Sequence, residues 1–249
     1  MSGPERHREI WRRKPALRAV YADIYRRIGT HRRPGRTLEI GGGGGNLKEY
    51  VPDVVSTDIL AVPWLDAVCD AQRLPFADAS FANIVLVDVL HHLERPVRFL
   101  AEAERVLAPD GRLIFCEPAI TPLGGLVYRF FHHEPVDMRA DPLIDGPPTP
   151  GRDPYHSNQA IPTLLTGRYR AALAEKLPNL PLVKLERFSF AAYLLSGGFR
   201  SWSLLPRFAA GAVLRAEWAL RGLLGPLAAL RLLAVYAKRT PPPRAAAPA

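Results

Sequence analysis

The stretch Leu38-Glu39-Ile40-Gly41-Gly42-Gly43-Gly44-Gly45-Asn46 sets one acid before five consecutive glycines. A backbone without Cβ atoms turns tightly and lies directly against a ligand. Glu39 adds negative charge at the mouth of that turn. An apolar strand, a glycine turn and then a helix is how a doubly wound sheet holds a nucleotide-like cofactor. Asp58 closes the apolar run Val54-Val55-Ser56-Thr57 and lies 17 residues after Gly41. That is about where a second strand would bring a carboxylate to a ribose diol. Further on, Phe81 to Val87 is nearly continuously apolar and ends in Asp88, as a central parallel strand would.

Register decides which cofactor the turn suits. A dinucleotide fingerprint needs G-x-G-x-x-G, and no register here supplies the third glycine. A dehydrogenase is therefore disfavoured. A phosphate-binding loop needs a Gly-Lys pair, and the chain has none. The pattern that remains is acid-x-Gly-x-Gly-x-Gly, filled by Glu39, Gly41, Gly43 and Gly45.

This spacing resembles motif I of the class I S-adenosylmethionine (SAM) methyltransferases. Asp70-Ala71-Gln72-Arg73-Leu74-Pro75-Phe76 with Ser80-Phe81 resembles the D-A-x-x-L-P-F-x-x-x-S-F stretch of a broad bacterial group of that family. Leu90-His91-His92-Leu93, a helix ending Arg105-Val106-Leu107 and the turn Pro109-Asp110-Gly111 follow in the family's order. The resemblance covers residues 37–118. It implies an α/β fold with a Rossmann-like, doubly wound, seven-stranded sheet. The sheet would be mostly parallel with an antiparallel edge strand, and helices would cover both faces. It also implies SAM as cofactor. Glu39 and the glycines Gly41, Gly43 and Gly45 would face its methionine end. Asp58 would take the ribose, Asp70 and the neighbouring N–H of Ala71 the adenine, and Asp88 would lie near the methionine moiety or the acceptor.

Methyl transfer from a sulfonium is an in-line displacement, in which alignment and exclusion of water do most of the work. A base helps if the acceptor is a hydroxyl. The candidates are His91 and His92 after the fourth strand, then His132, His133, Tyr155 and His156 further on. His7 and His31 read as surface residues. The triplet His132-His133-Glu134 invites a metal, but adjacent residues rarely aim at one centre, and the reading is no metal.

The elements that must position these groups follow from periodicity. Residues 1–35 form a basic, helical N-terminal segment. It holds most of the charge: residues 1–36 carry 11 of the 33 Lys and Arg but three of the 24 Asp and Glu. Such a segment could touch nucleic acid or an anionic membrane, but no nucleic-acid module accompanies it. Residues 36–240 form the SAM-binding domain. Proline- and glycine-rich residues from about 119 to 178 suggest a lid or substrate insertion, with a short helix over Leu126–Phe131. A second helix, capped by Ser157 or Asn158, would run to about Leu177. Leu182–Phe190 alternates as a strand. Leu204–Leu223 is a helix interrupted at Gly225-Pro226, and Leu232–Lys238 is a last strand. Residues 241–249 read as a disordered tail.

Within 202–236 the longest uncharged run is Gly222–Leu230, far below the roughly 20 residues that span a bilayer. Arg207, Arg215, Arg221 and Arg231 punctuate this apolar stretch, which leaves peripheral membrane contact open beside simple burial. The N-terminus lacks a signal-peptide pattern, so the expected location is the cytoplasm. The expectation is a SAM-dependent methyltransferase acting on a small-molecule acceptor, apolar or lipid-linked, with O-methylation slightly favoured. The competing functions are a non-catalytic SAM-binding scaffold and, further off, a nucleic-acid methyltransferase. The latter lacks an N/D-P-P-Y-type motif after the fourth strand.

Overall fold

A computed structural model describes residues 3–240. The tail read at 241–249 lies outside the described residues. Seven strands form one sheet: β1 (Thr37–Ile40), β2 (Val54–Asp58), β3 (Ala67–Val68), β4 (Phe81–Val87), β5 (Leu107–Pro118), β6 (Leu182–Phe188) and β7 (Arg231–Ala237). Their order is β3-β2-β1-β4-β5-β7-β6. All pairings from β3 to β5 are parallel, and β7 runs antiparallel to both β5 and β6. The reversed strand thus sits one place in from the edge.

The chain leaves β1 toward β2 on one side and returns to β4 on the other. This topological switch opens a crevice at the carboxyl ends of β1 and β4, where open α/β sheets bind ligands. In register, Ile40 faces both Thr57 and Leu86, so Gly41, Asp58 and Asp88 emerge close to one level.

Side chains alternate across the sheet. Leu38, Ile84, Leu86, Leu113 and Phe115 point into one core, against α3 (Pro96–Val106). Val85, Ile114, Cys116, Leu233 and Val235 point into the other, against the N-terminal helices α1 (Gly3–Arg13) and α2 (Pro15–His31). Lys14, between those helices, is buried, and its Nζ donates to the carbonyls of Gly198 at 2.6 Å, Arg200 at 2.8 Å and Trp202 at 2.8 Å. The basic segment is therefore bolted to the C-terminal half of the chain.

The insertion between β5 and β6 carries α4 (Pro122–Phe131), α5 (Ile161–Thr166) and α6 (Arg170–Lys176). One continuous helix to Leu177 was expected here. It breaks at Gly167, whose φ of −115° and ψ of −101° are not helical. After α7 (Ala192–Ser196), α8 (Arg207–Ala228) runs straight through Gly225-Pro226, against the expected interruption. Pro226 removes a hydrogen bond to the carbonyl of Gly222. Gly222 is exposed and has no side chain, so water can reach that carbonyl.

Candidate active site

One cavity of about 1420 Å³ opens at the switch point. It exceeds the range of roughly 300–1,000 Å³ usual for one drug-sized ligand, so it has room for two. Its walls include Glu39, Gly41, Gly43, Asp58, Asp70, Ala71 and Asp88, the residues on which the sequence resemblance rests.

At the β1 end the glycine turn is fixed by local bonds. Gly41, Gly43 and Gly45 have φ of +69°, +46° and +75°, which side chains rarely adopt. Gly43 N–H donates to Asp58 Oδ2 at 2.9 Å, and Trp64 Nε1 donates to Gly43 O at 2.8 Å. A Cβ on Gly43 would meet nothing nearer than 3.9 Å, so it would project into the cavity. Gly42, which the sequence pattern did not require, has its own reason. A Cβ there would come within 2.4 Å of Ser56 Oγ and 3.0 Å of Glu39 Oε2. Gly45 stands off the cavity wall and lies under Trp64.

Glu39 is buried, accepts from the Ser56 hydroxyl, and forms no ion pair among the described residues. Burial pushes its carboxyl up to about 7, only partly opposed by the Ser56 bond and the charge of Lys48. An acid in this condition suits a ligand that brings a positive charge. Asp70 closes a tight turn, its Oδ1 accepting from Gln72 N at 2.8 Å and Gln72 Nε2 at 3.1 Å.

The β4 end is built from distant parts. Asp88 is bound by Arg231 of β7 through both oxygens, at 2.7 and 2.9 Å, and by the Tyr21 hydroxyl at 3.0 Å. Burial would raise its pKa, but the Arg231 guanidinium outweighs that and holds it low. Its φ of +58° is a left-handed conformation pinned by this clamp. Glu117, fully buried on β5, accepts from Val89 N at 2.7 Å, Leu90 N at 2.8 Å and His91 Nδ1 at 2.6 Å. The other ring nitrogen of His91 faces Glu134 of the insertion at 3.3 Å. Burial alone would depress His91, yet the two carboxylates raise it to about 9, so it is an imidazolium at neutral pH.

His92 is different. Burial, and then the charge of His91, lower its pKa, and its buried Nδ1 has no hydrogen-bond partner among the described residues. It also lines the cavity, as do His132, His133 and Tyr155. His156 does not: it faces a neighbouring cleft of about 570 Å³. His7 is exposed, as expected, although its ring also stacks on Phe199 at 4.5 Å at the edge of the cavity; His31 is half-buried at the end of α2. Arg6 joins His7 on that wall, so the N-terminal helix forms part of the enclosure. Sequence reasoning missed the roles of Tyr21, Glu117 and Arg231, because each acts across a long sequence separation, and it weighed Glu134 only with His132 and His133, not as the partner of His91. The charge inside the apolar run of β7 was the one available signal.

His91, His92 and Glu134 could present three ligand atoms within 4.8 Å of one another to a metal ion. His91, however, has both ring nitrogens engaged by carboxylates, the arrangement of an ion-paired imidazolium.

The family model described as "Methyltransferase domain" matches residues 38–115, from β1 to β5. Residues 38–115 carry the SAM-dependent methyltransferase domain that the sequence resemblance implied. A ubiquinone/menaquinone biosynthesis C-methyltransferase of Bordetella avium is 36% identical to this chain over 109 residues, 34% of this chain and 42% of that protein. A demethylmenaquinone methyltransferase of Deinococcus radiodurans is 30% identical over 159 residues, 55% of this chain and 61% of that protein. The chain thus spans less than two thirds of these curated relatives. A solved SAM-dependent methyltransferase of Thermotoga maritima superposes with a TM-score of 0.58 over 93% of this chain and 94% of its own, at 14% identity, a likeness of fold. SAM is the cofactor of this methyltransferase family, and the side-chain-free wall at Gly43 beside the unpaired Glu39 fits its cationic methionine end.

Proposed function

We propose that this protein transfers a methyl group from SAM to the oxygen of a hydroxylated, apolar small molecule. The observation that carries the proposal is His92, a neutral imidazole on the cavity wall with an unpartnered nitrogen. When bound, SAM supplies an electrophilic methyl group on a sulfonium. Gly41 to Gly44, Glu39, Asp58 and Asp70 would hold it at the β1 end. His92 then takes the acceptor's hydroxyl proton, at the pH where it is free to do so. Its neighbour His91, already protonated, cannot. Glu117 fixes the turn that presents both rings, through the N–H groups of Val89 and Leu90. The helix α1 and the insertion cover the cavity and keep water from the methyl group.

A second reading is supported by what the Bordetella and Deinococcus proteins are named for. Removing a phenolic proton also raises electron density on a ring carbon, so the same base would serve ring C-methylation. Incubation with methyl-labelled SAM and a panel of phenols, catechols and hydroquinones tests both, with NMR locating the methyl group. His92→Ala is expected to lower kcat by about 10²–10⁴-fold at unchanged SAM affinity. Full turnover by that variant removes His92 as the base. No turnover of any acceptor, with SAM bound, favours a SAM-binding scaffold.

A further inference from the structure

We propose that α4, α8 and the turn Trp202–Leu204 form a docking surface for an anionic phospholipid bilayer. The proposal goes beyond methyl transfer and does not rest on it.

The outward stripe of α8 should be polar if it met only water. Instead Phe208 is 90% exposed and Leu223 73% exposed, with Leu220 and Leu227 on the same side. The exposed positions between them are glycine, alanine, proline and Arg215. On α4, Leu123, Leu126 and Phe130 face outward, and Phe131 just beyond them is 73% exposed. Trp202 and Leu204 add a third exposed segment. Scattered apolar residues need no explanation, but a continuous set of this size marks an interaction site.

The three segments form one rigid unit. Thr121 Oγ1 at the start of α4 donates to Ala229 O at 2.9 Å, and Tyr128 Oη donates to Leu230 O at 2.6 Å, both at the end of α8. Arg200 Nη2 donates to Phe131 O at 3.3 Å, and Lys14 holds the Gly198–Trp202 turn from beneath.

Charge selects the occupant. The only acid between Phe188 and Arg231 is Glu217. It is buried, and its Oε1 accepts from Phe190 N, Ala191 N and Ala192 N. α4 has no acid. The charges shown on this side are Arg129, Arg200, Arg207 and Arg215, and none of them has an ion pair among the described residues. A two-fold dimer across this face would set arginines against arginines with no acid to answer them. An anionic bilayer answers both properties: its interface takes Trp, Phe and Leu, and its headgroups take Arg. No described helix is long and apolar enough to cross a membrane, so contact would be peripheral. Phe131, Arg200 and Trp202 also line the main cavity, so its mouth would open beside the lipid. An apolar acceptor could then enter without passing through water.

Flotation of the whole protein with vesicles tests this. Phosphatidylcholine alone is compared with an equal mixture of phosphatidylcholine and phosphatidylglycerol, at low and high salt. The expected result is flotation with the anionic vesicles, weakened by salt. Phe208→Asp with Leu223→Asp, and separately Arg207→Gln with Arg215→Gln, are each expected to cut binding by roughly tenfold or more at unchanged Tm. Protein that stays at the bottom with both vesicles overturns the proposal. So does binding that survives the Phe208 and Leu223 changes, which would point to charge on the N-terminal segment instead. Ultracentrifugation without lipid completes the set: a dimer that these two changes convert to monomer shows that a second copy covers this face.

Discussion

The two ends of the cavity hold an acid each, under opposite electrical conditions. Glu39, at the end of β1, is buried with a hydroxyl for company and is pushed up to about 7. Asp88, at the end of the neighbouring β4, is clamped by Arg231 and held low. The β1 end is left incomplete in charge, as a site awaiting a cationic ligand should be. The β4 end is complete without a ligand: ion pairs tie together β4, β7 and the insertion, and the Tyr21 hydroxyl adds α2. One end binds; the other positions.

Breaking the β4 end should therefore cost the most stability. Asp88→Asn keeps a residue tolerant of the left-handed backbone but leaves the buried Arg231 guanidinium without a counter-charge. The expected loss is about 3–5 kcal/mol in denaturant unfolding. Adding Arg231→Met should recover a large part of it, because the stranded charge is then gone. A loss below about 1 kcal/mol for Asp88→Asn would mean that the clamp is ornamental.

Glu39→Gln should act in the opposite sense. A group whose folded pKa is raised from 4.5 to about 7 gives its stability below pH 4.5, and that stability is lost as pH rises through 7. The variant should match the parent in acid and exceed it by on the order of 3 kcal/mol at about pH 8, while binding SAM more weakly. For the parent, calorimetry in buffers of different ionisation enthalpy should show proton release on SAM binding near neutral pH. A pH-independent stability difference would remove the isolated-acid description of the β1 end.

Two adjacent glycines sharpen the same contrast on a smaller scale. Gly43→Ala puts a methyl group into open cavity at positive φ, so it should cost about 1–2 kcal/mol and weaken SAM binding at least tenfold. Gly42→Ala drives its Cβ into Ser56 and Glu39, so its loss should appear first in Tm. Equal effects of the two changes on affinity and Tm would erase the distinction.

The same division explains what the sequence disclosed. Glu39, the glycines, Asp58 and Asp70 lie within about thirty residues, each at a strand end or tight turn whose spacing the sheet geometry dictates. They could be read in order, together with the strands that carry them; the order of strands in the sheet could not. The clamp Asp88–Arg231 spans 143 positions, and Glu117 reaches His91 across 26. Such pairs are made by strand register and leave no local pattern. The break at Gly167 and the unbroken Gly225-Pro226 were misjudged too. At exposed Gly167 the low helix propensity of glycine ended the helix, and at Pro226 the carbonyl left without a donor belongs to exposed Gly222, where water can meet it.

The smallest effect lies where the insertion meets the sheet. Glu134 is held well down, to about 2, by His91 against the opposing effect of burial. Residues 132–160 carry little regular structure, so this ion pair, with Asn158 N donating to His91 O at 2.8 Å, fastens the insertion over the cavity. The raised His91 gives its full stabilisation below pH 6.5, and this is lost as pH rises through about 9. The insertion should therefore loosen in mild alkali before the sheet unfolds. Hydrogen exchange over 132–160 should quicken near pH 9 while β4 and β5 stay protected. Glu134→Gln should bring that loosening to lower pH at a cost of about 1–2 kcal/mol, confined to the insertion. Exchange that quickens equally in β4 would show that the fastening and the sheet are one cooperative unit, and the contrast between a binding end and a positioning end would stop at Asp88.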